Sequence, residues 1–268
     1  MNSAKVDFLY LGPDKAGSSW IHSFLSAQKS AHVPTFKDIY FFDRFYSRGI
    51  EWYHSKVLPS VSRQQLCGEL SHDYLFSDQA IERIYSYNSN MKLIVCARDP
   101  AKRAFSHYLY LKKMGLVPQS YSFLEALEVH SSLVINSKIT APTMKYIAKF
   151  GFDNVLVLPF SLLEEDPSSF AKCIGDFLEL RIDDEYIPHE KVLGAARSRW
   201  PLLTRFLRRI GDGARSAGFP EAVGAIKANR LITRLLYSRL NQKITEREYQ
   251  TANELYFKEE LVDIRKLF

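Results

Sequence analysis

The chain has 268 residues and a formal net charge of +6, with 36 Lys and Arg against 30 Asp and Glu. That length suits one large α/β domain with a substantial core, and a hydrophobic share of 46% excludes a disordered or fibrous chain. The positive excess suits an anionic ligand, but without a nucleic-acid-binding motif it does not argue for DNA or RNA.

In chain order, "VDFLYLG" (Val6–Gly12) is an apolar run closed by Gly-Pro and predicts a buried strand. "SSWIHSFLSAQ" carries Trp20, Ile21, Phe24 and Leu25 at helical spacing. Strand, glycine loop and helix form the first unit of a nucleotide-binding α/β sheet. "QLCGELS" predicts a second strand, and "KLIVCARDP" is the clearest buried strand in the chain. "AKRAFSHYLYLKKMG" follows as a helix closed by Gly115. Between Ser120 and Lys149 the pattern is helical; "NVLVLPF" is a further strand and "SFAKCIGDFLEL" a further helix. Alternating strands and helices imply a parallel sheet covered on both faces. From Trp200 onward the pattern is helical and charged, with no further strand signal. The expectation is one domain over residues 1–268, with 196–268 as a mainly helical extension.

Cys67, Cys96 and Cys173 have no CxxC spacing, so neither a disulfide nor a zinc site is expected. A reducing compartment fits. No apolar run reaches the ~18 residues of a membrane span, and no stretch reads as a signal peptide. A soluble, cytoplasmic protein is the expectation.

The loop after the first strand, Gly12-Pro-Asp-Lys-Ala-Gly17, has the glycine spacing of a phosphate-binding P-loop. Ser18 stands where that loop places its lysine, and the lysine is Lys15, ahead of the second glycine. Backbone N–H groups and a helix N-terminus still suit an anion. The plainer alternative is a Gly-Pro turn before a helix with a serine cap. Lys15, Gly17, Ser18 and Ser19 are similar to the K-x-G-[ST]-[ST] loop of the sulfotransferases. That loop holds the 5′ end of 3′-phosphoadenosine 5′-phosphosulfate (PAPS). The resemblance implies that Lys15, Ala16, Gly17, Ser18, Ser19 and Trp20 hold the phosphosulfate.

"LIVCARDPAKRAFSHY" resembles the 3′-phosphate segment of the same family, with Arg98 at the strand end and Ser106 eight positions on. An arginine there presents a guanidinium fork to a phosphate. The alternative is a solvated Arg-Asp turn and an exposed serine. "TFKDIYFFDRFYSRGIEWYHS" resembles the K-E-x-H-F-F-D and G-x-x-W-Y stretches of carbohydrate-type and bacterial sulfotransferases, and "GELSHDYL" resembles their G-E-x-[ST]-P-x-Y-L. The resemblance is good from Val6 to about Pro167. It implies a three-layer P-loop-like fold, PAPS as donor, a hydroxyl acceptor (sugar, lipid or small metabolite) and no metal.

Three departures bear on the base. Asp38 stands for the relatives' glutamate and Tyr40 for their histidine, while His72 replaces a proline. Asp38 is the preferred general base and His72 the second candidate, because a histidine needs little tuning near pH 7. The plain alternative for Asp38 is a loop carboxylate paired with Lys37 or Arg44. Leu70 stands for the relatives' lysine. No role is assigned to His22 or His107. One rival function is a P-loop kinase, which lacks its lysine after Gly17. Another is a non-catalytic anion- or lipid-surface-binding protein. It draws on residues 199–210, where Trp200, Leu203, Phe206, Leu207 and Ile210 share a helical face flanked by Arg205, Arg208 and Arg209. A packed amphipathic helix with a basic rim is the plainer account of that segment.

Overall fold

The computed structural model describes residues 5–58, 65–188, 196–198, 200–219, 237–239 and 242–268. The first strand, β1 (Phe8–Gly12), is buried along its whole length. Phe8 and Tyr10 enter one apolar cluster, Leu9 and Leu11 the other. A strand buried on both faces reads as an unbroken apolar run, which is what its sequence shows. After α1 (Ser18–Ala27) come the short strand β2 (Ala31–His32), the helix α2 (Ile50–Val57), β3 (Leu66–Leu70), α3 (Asp78–Tyr87) and β4 (Lys92–Ala97). Then follow α4 (Pro100–Lys113), α5 (Phe123–Val129), α6 (Ser131–Ile135), α7 (Thr140–Phe150), β5 (Val155–Pro159), α8 (Phe160–Glu165) and α9 (Pro167–Leu178).

The five strands form one parallel sheet in the order β2-β3-β1-β4-β5. β1 is central: the chain leaves it toward β2 and β3 on one side, then crosses to β4 and β5 on the other. Such a switch point leaves a crevice at the carboxyl ends of the strands, where open α/β sheets bind ligands. On one face Leu93 and Val95 of β4 pack with Phe41, Phe42, Tyr53, Ile84 and Tyr146. On the other, Ile94 and Cys96 pack with Trp20, Phe24, Phe170 and Ile174. The result is the three-layer α/β arrangement with a central parallel sheet. All three cysteines are free thiols, with Cys67 and Cys96 buried.

The chain divides into two compact units. One is Met1–Arg98, Ile139–Val192 and Asp263–Phe268, which carries the sheet; the other is Asp99–Lys138 and Leu193–Val262. The second unit has its own cluster, in which Phe105, Tyr108 and Leu109 of α4 pack with Phe123, Leu127, Leu133 and Phe257. α4 starts as its sequence dictates: Asp99 caps it by accepting from the Lys102 N–H at 2.9 Å, and Pro100 stands in the first turn. Tyr249 donates to the other Asp99 oxygen at 2.8 Å.

One expectation needs correcting in this unit. Beyond Trp200 there is a further strand, β7 (Tyr237–Arg239), paired antiparallel with β6 (Ala196–Ser198). Three residues are too few to show a period-two pattern. The other described elements of 200–268 are helical: α10 (Pro201–Ser216), Glu246–Ala252, Asn253–Phe257 and Lys258–Asp263 among them. No helix of the described residues is long and apolar enough to cross a membrane.

Candidate active site

The loop after β1 is held from below and from the side. The Tyr10 hydroxyl donates to the Pro13 carbonyl at 2.7 Å and lies 3.3 Å from that of Ala16. Gly12 has φ +134°, and a Cβ there would overlap the carbonyl oxygen of His72. Only glycine lets the loops after β1 and β3 come this close. Lys15 (φ 62°) and Gly17 (φ 87°) are both left-handed, so the chain turns sharply before α1. No side chain caps that helix, and its first turn holds no acid. Its leading N–H groups therefore remain available to an anion.

Several of the loop residues singled out in the sequence gather here. Ser18 and Ser19 open α1 and are half-buried. Arg98, at the end of β4, donates to the Lys15 carbonyl at 2.7 Å. Its guanidinium lies 4.3 Å from the centroid of the Phe160 ring. Ala16 is buried in the core beside the loop. The Trp20 side chain is committed to packing: its indole N–H donates to the Pro188 carbonyl at 2.7 Å, and its ring stacks on Phe24. Any contact of Trp20 with a ligand therefore falls to its backbone. Ser106 lies two turns into α4, half-buried, in the second unit.

Asp38 and His72 come from separate loops and meet. Asp38 Oδ1 is 2.7 Å from His72 Nδ1, and the Tyr40 hydroxyl is 3.1 Å from His72 Nε2. A carboxylate only accepts, so His72 Nδ1 carries the proton. In the neutral ring Nε2 carries the lone pair; it faces the Tyr40 hydroxyl, with Asp73 Oδ1 at 3.4 Å. Burial alone lowers the His72 pKa, but the Asp38 charge and hydrogen bond, with Asp14 and Asp73 further off, raise it on balance. Tyr40, which stands at the histidine position of the K-E-x-H-F-F-D pattern, sits against His72, with ring centroids 5.5 Å apart. Arg44 pairs with Asp43 and Asp73 rather than claiming this site, and its guanidinium lies over the Tyr40 ring at 4.0 Å.

The Asp38 loop has a buried support. Glu69, 1% exposed on β3, accepts from the Ser71 hydroxyl at 3.1 Å, and that hydroxyl accepts from the Tyr40 N–H at 3.0 Å. The Tyr74 hydroxyl accepts from the Phe41 N–H at 2.9 Å. The Asp38 N–H donates to the Leu70 carbonyl at 2.8 Å. Asp38 (φ 68°) and Tyr40 (φ 56°) are both left-handed, a cost these bonds offset. Burial pushes the Glu69 carboxyl up to about 8, against the pull of its bonds to Tyr74 and Ser71.

Sequence reasoning missed Lys37. Its ammonium donates to Ser19 Oγ at 2.9 Å and Ser18 Oγ at 3.2 Å. The signal was there, since Lys37 stands at the lysine of the K-E-x-H-F-F-D pattern, but no role was attached to it.

A parallel sheet with β1 at its centre, and an uncapped glycine loop at that strand's end, define an α/β protein built to take an anionic ligand. Residues 5–192 match the sulfotransferase domain family, and the chain belongs to it. Heparan sulfate glucosamine 3-O-sulfotransferase 3B1 of Mus musculus is 26% identical over 230 residues, covering 82% of this chain and 55% of that protein. Membrane-associated sulfotransferase kil1 of Dictyostelium discoideum is 28% identical over 134 residues, covering 48% of this chain and 28% of that protein. The chain thus spans 28–55% of the length of these two relatives. A sulfotransferase structure from Alicyclobacillus acidocaldarius matches with TM-score 0.62 at 22% identity, over 83% of this chain and 97% of that one. Mouse sulfotransferase SULT7A1, solved with PAP, matches with TM-score 0.56 at 15% identity, over 100% of this chain and 88% of that one. At these identities the two structures establish a shared fold.

Proposed function

We propose that the protein transfers a sulfuryl group from PAPS to an acceptor hydroxyl. The observation that carries this reading is the Asp38–His72 pair standing beside the loop of Lys15, Gly17, Ser18 and Ser19. When bound, PAPS supplies an activated sulfur whose bond to the 5′-phosphate oxygen is the one that breaks. The α1 N-terminus, Ser18 and Ser19 hold the 5′-phosphate, and Lys15 neutralises the charge that grows on the departing oxygen. Arg98 takes the 3′-phosphate.

His72 is the base and Asp38 holds it. Nε2 takes the acceptor's proton as the acceptor oxygen bonds to sulfur, and the electron pair of the broken S–O bond stays on the 5′-phosphate. Asp38 fixes the tautomer and stabilises the imidazolium. This ranks His72 above Asp38 as the proton acceptor, because the short Nδ1 contact leaves Nε2 as the basic atom. The family match supports a sulfotransferase over a kinase, and Ser18 occupies the position of a kinase's loop lysine. Labelled PAPS with a panel of sugar, lipid and small-molecule alcohols tests the reading. Label on an acceptor, with adenosine 3′,5′-bisphosphate released in equal amount, supports it. Phosphoryl transfer from ATP to the same acceptors overturns it.

We also propose that α10 meets a lipid surface. Trp200, Leu203, Phe206 and Ile210 are 63%, 45%, 60% and 51% exposed. They lie at helical spacing, and Arg208 and Arg209 carry charge suited to anionic lipid. The relative from Dictyostelium discoideum is named as membrane-associated.

A further inference from the structure

We infer that Lys37 is a second cation for the donor, one that neither the loop motif nor the family match assigns, and that it meets the 5′ anionic end. The inference rests on the sulfuryl-transfer reading of this site. An ammonium has three donors and no acceptor. Lys37 places two of those donors on Ser19 Oγ at 2.9 Å and Ser18 Oγ at 3.2 Å. Each serine oxygen therefore accepts from Lys37, and each serine proton is left to point elsewhere. Lys37 thus makes the two serines donors, the form in which hydroxyls serve an anion. The same side chain brings a positive charge to the uncapped start of α1. Phosphosulfate bound to Ser18 and Ser19 stands within reach of that charge.

The electrostatics agree. Burial lowers the Lys37 pKa, and Asp38 and Asp14 pull it back up through space. The groups facing it are Asp14 of the loop, His22 of α1 and Asp38, itself bound to His72. Its two hydrogen bonds go to the Ser18 and Ser19 hydroxyls, and Asp38 and Asp14 are acids near enough to act on its charge. During transfer Lys37 shares with Lys15 the charge left on the 5′-phosphate oxygen as the S–O bond breaks, and it exchanges no proton.

The test is calorimetry with two nucleotides, adenosine 3′,5′-bisphosphate and adenosine 3′-monophosphate, the second lacking the 5′ group. A charged hydrogen bond is worth ~1.5–3 kcal/mol. Lys37→Met is therefore expected to weaken the bisphosphate at least tenfold and the 3′-monophosphate by less than about twofold. A structural role for Lys37 weakens both alike and overturns the inference, as does unchanged bisphosphate affinity. In the wild type, bisphosphate affinity is expected to fall as alkaline pH deprotonates Lys37. Lys37→Arg moves that fall to higher pH, and an unmoved alkaline limb overturns the inference even if Lys37→Met fails to fold. A wild-type protein that does not bind the bisphosphate at all overturns the sulfuryl-transfer reading itself, a result separable from the others.

Discussion

The 2.7 Å contact between Asp38 and His72 makes a base of two residues rather than one. Removing a general base costs ~10²–10⁴-fold in rate, so His72→Ala is expected to lose kcat on that scale with donor binding kept. Asp38→Asn is expected to lose a comparable factor, and the double variant little more than His72→Ala alone, as for groups acting as a unit. The pH profile carries the sign. His72 must be neutral to accept a proton, and its pKa lies above the ordinary 6.5 on balance. Wild-type kcat/KM therefore falls as pH drops through that raised value, and Asp38→Asn moves the limb to lower pH by removing the charge that raises it. A carboxylate acting alone keeps activity down to about pH 5. That profile, with an active His72→Ala, returns the role to Asp38. The sequence places Asp38 by position in "FKDIYFFD" and His72 by its ring. It does not show that they touch, because they stand on two loops, after β2 and after β3, that meet through the β2–β3 pairing and the Asp38 N–H bond to the Leu70 carbonyl.

At the scale of elements, the glycine loop and the buried support of the Asp38 loop each make a measurable claim. Gly17 is left-handed, and a Cβ there comes within 2.9 Å of Leu163. Gly17→Ala is expected to cost about 1–2 kcal/mol, read as a lower urea midpoint at unchanged slope. Glu69 is pushed up to about 8 from an ordinary 4.5, so the folded state holds a proton that the unfolded chain releases. Stability from this group is then full below pH 4.5 and is lost as pH rises toward 8. The slope is at most about 1.4 kcal/mol per pH unit. Glu69→Gln imitates the protonated form and is expected to flatten that slope in thermal melts; an unchanged slope contradicts a protonated Glu69. The elements legible in sequence were the long ones. β1, β4, β5, α1 and α4 follow from unbroken apolar runs, helical spacing and a Pro-led cap. β2, with two residues, and the β6–β7 ribbon, with three on each side, fall below any readable period. The π-helical turn at Phe41–Phe45 depends on Tyr74, which sits far along the chain.

For the molecule as a whole, the charge of +6 and the exposed apolar face of α10 bear on where it works. Wild-type protein is expected to sediment with phosphatidylserine-containing vesicles at low salt. Phe206→Ser with Ile210→Ser is expected to reduce that about tenfold or more, since burying such side chains is worth ~1.5–3 kcal/mol each. Both residues are exposed, so the melting temperature should hardly move. Wild-type protein left in the supernatant contradicts the lipid-facing role of α10. The spacing of apolar residues over 199–210 showed an amphipathic segment, but whether its apolar side faced inward was decided by tertiary packing. The central claim concerns the donor, and one calorimetric comparison tests it without knowing the acceptor: adenosine 3′,5′-bisphosphate against AMP. With Arg98 set beside the Lys15 loop, the bisphosphate is expected to bind at least tenfold tighter, from charged hydrogen bonds of ~1.5–3 kcal/mol to the 3′-phosphate. Arg98→Ala is expected to erase most of that difference. Equal affinity of the wild-type protein for the two nucleotides would contradict the account.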